Sequence, residues 1–471
     1  MISAIVRMKQ ISITAILLLL ITVAYGQDNY VEVRNLTLIG NEKTQDIIIY
    51  RELDIFPGDT ISLEKLQLRI IENEKRILST LLFTDVSINM RNWDTETKKA
   101  DFFIVVQENW YLYPAPVFEL ADRNFNVWWR EQGRSFDRVN YGLSLDHLNL
   151  TGMRDRLRAK IQFGYEKKYE LRYDYPYLNN NWGYSAGIFY AERKEIGYIT
   201  EGNKTLFQKA EDERKLLSRF RIGGTVNYRP SLFSYHAFRV EYHHNQINEF
   251  VRENLNPDYF LDDRTDLRFF LLEYDFQYDK RVFATYPQGG YLLFFNVKKE
   301  GLGVFKNYNN LPVFAGFEKY FSYNKWIYAT RFKAKTNLNR SVVSFANNTG
   351  LGYGADVLTG YELYVIDGTD YLLLQTALKY RILDKVLDME DSMPLSQFKK
   401  MPISIFLRFN VHTGFVNERT YRSGNPLNNQ WALGYGPGID ILIWNSFLVK
   451  VEYSFNELGE QAFFIKSSLA F

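Results

Sequence analysis

The residues from which chemistry could be built are few: five histidines, scattered acids and no cysteine. His243 and His244 are adjacent in an alternating run, so they point to opposite faces and cannot easily share a metal. GLSLD at 142–146 lacks the second glycine of a nucleophile elbow. No glycine-rich loop follows a strand and opens a helix to cradle phosphate. The lack of cysteine excludes thiol catalysis, thiolate metal sites, disulfides and lipidation at an N-terminal cysteine. No spacing supports a Ser/His/Asp centre. The expectation is a non-enzyme with no cofactor and no metal. The chemistry that remains is that of contact, concentrated in 356–371, DVLTGYELYVIDGTDY. Its aromatics, glycines and acids suit a loop that packs against something.

The elements that position this stretch are strands. From Trp110 to the end the pattern has period 2, as in Leu157, Ala159, Ile161 and Phe163 against Arg158, Lys160 and Gln162. The runs reach the length of a tilted membrane strand, and aromatics are 17% of the chain, with 34 Tyr and 36 Phe. The mean hydropathy of −0.29 fits a barrel that alternates lipid-facing and lumen-facing residues. About sixteen strand candidates can be counted, an even number. Long connections (194–214, 248–266, 338–370) alternate with short ones, which puts the long ones outside the cell. The turn 384–401 is the exception; with Met389, Met393 and Leu395 it is expected to dock a partner or the N-terminal module. A net charge of +2 gives no field suited to nucleic acid.

Residues 1–26 read as a signal peptide, with Arg7 and Lys9 before the apolar ISITAILLLLITVA and small residues Ala24 and Gly26 at the cleavage site. Residues 27–108 read as a small β-α-α-β-β module: a strand at 30–39, helices at 44–53 and from Ser62, and strands at 84–90 and 101–108. Residues 109–471 are the barrel.

Specific strings narrow this reading. VRNLTLIGNEKTQDIIIYREL, with LLFTDVSI and DFFIVVQE behind it, resembles the POTRA (polypeptide-transport-associated) domain. YGLSLDHLNLTGMRDRL, LRYDYPYLNNNWG, YPQGGYLLFFNV and GNPLNNQWALGYGPGID resemble, in order, the BamA/TamA superfamily of outer-membrane assembly and secretion barrels. The resemblance implies an outer-membrane barrel with a periplasmic POTRA domain that assembles or inserts outer-membrane proteins. It would capture client strands by edge pairing and release them through a lateral seam. Its implied partners are the bilayer, unfolded outer-membrane protein clients, and periplasmic or lipoprotein partners at the POTRA domain and turn 384–401. A secretion channel and a non-insertase accessory barrel are the alternatives. Phe463, Ile465, Leu469 and Phe471 resemble the C-terminal strand signal of such barrels.

The resemblance also locates a lumen-loop motif, Leu358, Thr359, Gly360 and Tyr361, followed by Asp367, Gly368 and Asp370. The family's loop carries an arginine where Thr359 stands, and its wall carries an acid where His412 stands, two residues before Gly414. Lys379 and Arg381 lie on the preceding strand. Cation and counter-charge are absent together, a joint change that is nearly neutral where a single one would be costly. The expectation is that Thr359, Gly360 and Tyr361 bond the wall near His412 and Lys379, with Asp367 or Asp370 as the negative partner of Lys379.

Overall fold

The computed structural model describes residues 29–469 apart from 123–124, 177–180, 306–307, 390–392, 394–398 and 422–423. The predicted signal peptide and Phe471 lie outside the described residues, as does most of the tip of turn 384–401.

The first unit is a small α/β module. Strands β1 (Tyr30–Ile39), β2 (Thr60–Ser62), β3 (Phe83–Asp94) and β4 (Lys99–Glu108) form a sheet in the order β2-β1-β4-β3. β1 runs parallel to β4, and β3 runs antiparallel to it. Helices Asp46–Tyr50 and Leu63–Leu78 close one face over Val31, Val33, Ile48, Ile49, Ile77, Phe102 and Ile104. β2 is a departure from the sequence reading. Three residues are too few for alternation to register, and TIS becomes a strand only by pairing with Tyr30–Glu32. Ser62 takes the N-cap position of the longer helix without a side-chain cap bond. β3 is the outer strand, and the Glu74 carboxylate accepts its Ile88 N–H at 2.8 Å.

Sixteen strands form the second unit, an antiparallel β-barrel. They are β5 (Leu112–Leu120), β6 (Val139–Leu148), β7 (Arg156–Gly164), β8 (Glu166–Tyr175), β9 (Trp182–Arg193), β12 (Leu217–Tyr228), β13 (Ser234–Ile247), β14 (Asp266–Asp279) and β15 (Gly290–Glu300). The series ends with β16 (Pro312–Tyr323), β17 (Trp326–Asn337), β18 (Asp370–Asp388), β19 (Lys400–Asn417), β20 (Trp431–Ile443), β21 (Phe447–Asn456) and β22 (Gln461–Leu469). The remaining strands, β10 (Glu195–Glu201) and β11 (Lys204–Lys209), make a separate hairpin. Strand count and order agree with the alternation. Its polarity is inside-out: Ile161, Phe238, Val240, Leu407, Phe409 and Ile465 are exposed, while Gln162, Glu318, Lys379, Asn410, Asp440 and Glu452 are buried. That pattern suits an apolar solvent outside and a polar interior. No described helix is long and apolar enough to cross a membrane, which says nothing of strands.

The module sits against one rim, here called proximal. Asn149 in the β6–β7 turn donates to Thr44 at 2.9 Å, and Gln45 N–H donates to the Gly152 carbonyl at 3.0 Å. Arg229 in the β12–β13 turn clamps buried Glu52 at 2.7 and 3.2 Å, with Arg154 at 3.8 Å. Burial pushes the Glu52 carboxyl up, but Arg229, Arg154 and Arg51 outweigh it and hold it below its ordinary value. A depressed carboxyl stabilises the docked state above its unfolded value, about 4.3, and loses that contribution as pH falls through the lower folded value. Docking followed with a fluorophore pair on introduced cysteines is therefore expected to be constant from about pH 7 to 5 and to weaken below about pH 4. Arg229→Gln should abolish that acid step.

Candidate functional site

The loop between β17 and β18 lies inside the barrel, against the inner faces of β19 to β22. The Thr359 N–H donates to His412 Nδ1 at 3.2 Å, and the Thr359 hydroxyl lies 3.1 Å from the same nitrogen. The Asn456 amide on β21 donates to the Gly360 carbonyl at 2.8 Å. The Tyr364 hydroxyl donates to Glu460, in the β21–β22 turn, at 2.7 Å. Leu358, Tyr361 and Ile366 pack with Leu351, Tyr371, Leu373 and Val416.

Close approach explains the glycines of ALGYGPGID. A Cβ on Gly434 would meet the Thr359 carbonyl oxygen at 1.7 Å, so only glycine lets the loop seat there. Gly360, at φ +84°, also lies close to the Phe455 carbonyl, whose oxygen a Cβ would meet at 2.4 Å. Gly414 faces the Leu351 and Leu358 side chains, and Gly368 lies against Val416.

Charge pairing between loop and wall is present with its polarity inverted: the loop carries the acids and the wall the cations. Asp356 accepts from Lys333 on β17 at 2.6 Å and from the Tyr371 hydroxyl at 2.7 Å. Buried Glu362 lies 3.3 Å from Lys466 on β22, and Lys466 lies 3.2 Å from Glu452 on β21. Arg408 on β19 bridges Glu452 and Asp440, each at 2.9 Å. The sequence reading missed these residues. Their signal was there: the alternation puts Lys333, Asp440, Glu452 and Lys466 on the inward face, and Glu362 directly follows LTGY.

Other expected residues fall elsewhere. Lys379 is not partnered by Asp367 or Asp370; its ammonium lies 4.0 Å over the Tyr286 ring, whose hydroxyl donates to Asp440 at 2.8 Å. Tyr286 belongs to YPQGG, the β14–β15 turn, which folds inward and closes the proximal half of the lumen with Phe283, Ile327, Phe406, Leu442 and Leu448. Asp367 accepts from the Tyr353 hydroxyl within the loop. Asp370 lies at the rim with Arg340 and Thr336, while Arg381 bonds Gln288 and Asp384 near the proximal rim and does not face the loop. Phe463 and Ile465 point outward, and Leu469 ends β22.

The far rim is capped. The β10–β11 turn inserts Asn203, fully buried, between the lumen loop and the β19–β20 connection. Its amide donates to Val365 O at 3.1 Å and Asn428 Oδ1 at 2.9 Å, and its carbonyl oxygen Oδ1 accepts from Leu427 N–H at 2.8 Å.

The barrel also has a seam. Among the described residues no ladder joins β5 to β22, which end the strand order. Ala121 N–H and Tyr111 O bond toward β6, so odd-numbered residues of β5 face that neighbour and even-numbered ones face the free edge. Pro114 and Pro116 are even-numbered, so that edge lacks two donors. On β22 the free Phe463 carbonyl accepts the Asn126 amide, from the β5–β6 connection, at 2.6 Å.

A sixteen-stranded antiparallel barrel with an inward loop and a leading α/β module is a fold shared with solved structures of BamA and CdiB. BamA from Haemophilus ducreyi lacking POTRA domains 1–3 superposes with a TM-score of 0.50 at 13% identity, over 93% of this chain and 84% of that one. CdiB from Escherichia coli superposes with a TM-score of 0.53 at 11% identity, over 94% of this chain and 76% of that one. At these identities the likeness is one of fold. No protein-family model and no curated protein sequence matches the chain.

Proposed function

We propose that the chain is an outer-membrane assembly factor whose working element is the β5–β22 seam, with residues 27–108 as a periplasmic POTRA domain. The observation that carries this is the seam edge of β5, where Pro114 and Pro116 remove donors that a closed barrel would need. In lipid an unpaired backbone group costs several kcal/mol, so a client strand that pairs with the edge relieves it. β22 offers the second template, its Phe463 carbonyl held meanwhile by Asn126. The outer edge of β3, apart from the Ile88 N–H held by Glu74, offers main-chain pairing to unfolded clients on the proximal, periplasmic side. No nucleotide or cofactor enters this scheme. Its energy comes from strand pairing and burial of apolar surface in the bilayer. The chain has no native cysteine, so locking is clean.

Cysteines at 126 and 463, crosslinked, should stop insertion of an unfolded barrel client into vesicles while leaving single-channel conductance unchanged. Pro114→Val with Pro116→Val should slow insertion by restoring edge donors. Full insertion by the locked protein would refute the seam mechanism. A channel for secretion is the alternative, and the inward loop and the Asn203 cap count against it because both obstruct the lumen.

A further inference from the structure

The outward wall has a dent at the distal rim. Ala315 on β16 and Ala334 on β17 stand in a band otherwise filled by Phe317, Phe332 and Leu374. They leave a groove of about 420 Å³ bounded by Val313, Leu372 and Phe415. Directly at its rim, Arg340 makes two bonds to Asp370 at 2.7 and 2.8 Å, and Arg419 lies 3.7 Å from the same carboxylate. Asp370 is already occupied by the Thr336 hydroxyl at 2.6 Å, Asn337 N–H at 3.1 Å and the Asn417 amide at 3.2 Å. Both guanidiniums stay about half exposed, at 47% and 49%, so two cations share one saturated anion.

We propose that this groove binds an acyl lipid with a phosphate-bearing headgroup from the distal leaflet. One chain lies in the apolar groove, and the phosphate bridges Arg340 and Arg419. Position and charge select this occupant. The groove opens sideways from the outward face, where hydrocarbon is the solvent. The rim carries a net positive charge whose fork-shaped donors match phosphate oxygens. An extended protein segment would need free main-chain groups, and the groove floor lies within the paired ladders β16–β17 and β18–β19.

The test is native mass spectrometry of the full chain in maltoside micelles doped with lipid A or with its dephosphorylated form. The chain should retain lipid A and not the dephosphorylated lipid. Arg340→Gln with Arg419→Gln should lower retention by at least about tenfold, because it removes the charge-assisted bonds to the headgroup. Ala334→Leu, which fills the groove and leaves both arginines in place, should lower retention as well. Each variant is checked for folding by its heat-dependent electrophoretic shift. Equal retention of both lipids, or wild-type retention by folded variants, would overturn the proposal. Displacement by millimolar inorganic phosphate alone would overturn it too, by revealing a free-anion site.

Discussion

Lys466→Glu is expected to drive the lumen loop out of its seat and raise single-channel conductance sharply. Lys466 is the shared counter-ion of Glu362 on the loop and Glu452 on the wall, and both carboxylates are almost fully buried. Reversal would gather three carboxylates, with Arg408, bonded to Glu452, and the nearby Lys450 left to offset them. Breaking a buried pair by removing one partner costs about 3–5 kcal/mol. Lys466 is 41% exposed, so the low end applies. About 3 kcal/mol corresponds to roughly a hundredfold gain in the open population. Glu362→Lys combined with Lys466→Glu restores opposite charges and should recover most of the closed state. Failure of the swap to rescue, in a folded barrel, would mean that the hydrogen bonds of Thr359 and Gly360 hold the loop without the ion pair.

Asn203→Ala is expected to loosen the distal cap while leaving the barrel folded. It removes three buried side-chain hydrogen bonds, to Val365, Asn428 and Leu427. Each orphaned partner costs about 1–3 kcal/mol. It also places alanine at φ +58°, a left-handed conformation that asparagine tolerates better. Limited proteolysis should then cut the β10–β11 hairpin quickly, and conductance should flicker. Asn203→Gly separates the two contributions, since it keeps the left-handed turn and loses the bonds. Wild-type resistance in the glycine variant would place the stability in the backbone geometry.

The barrel was legible because a strand between lipid and lumen writes its two solvents directly into alternate residues. Runs such as Leu157–Tyr165 needed no tertiary knowledge. The distal cap was not legible. β10 and β11 carry mixed side chains, and their place is set by one asparagine contacting residues more than 150 positions away. The lumen contact was legible in place, and the charged residues that make it were not. LTGY located the loop tip, and Thr359 does meet His412. The loop acids expected to meet the wall, Asp367 and Asp370, bond elsewhere, and Asp356 and Glu362 make the pairs instead. Glu362 meets its cation 104 residues downstream, on a strand whose register no local pattern reveals. Lys379 misled for the same reason, because its partner Tyr286 arrives from a turn that folds into the lumen.

Three of the groups that seat the loop, Asn456, Glu460 and Lys466, belong to β21, β22 and the turn between them. β22 is also one lip of the seam. Loop position and seam position are therefore two variables of one equilibrium, and linkage makes their coupling reciprocal. Whatever free energy a strand inserted at β22 takes from the loop's hold, a displaced loop must return as easier insertion. Under the proposed seam mechanism, a ligand that favours the seated loop would act as an inhibitor of insertion without touching the lipid-facing edge.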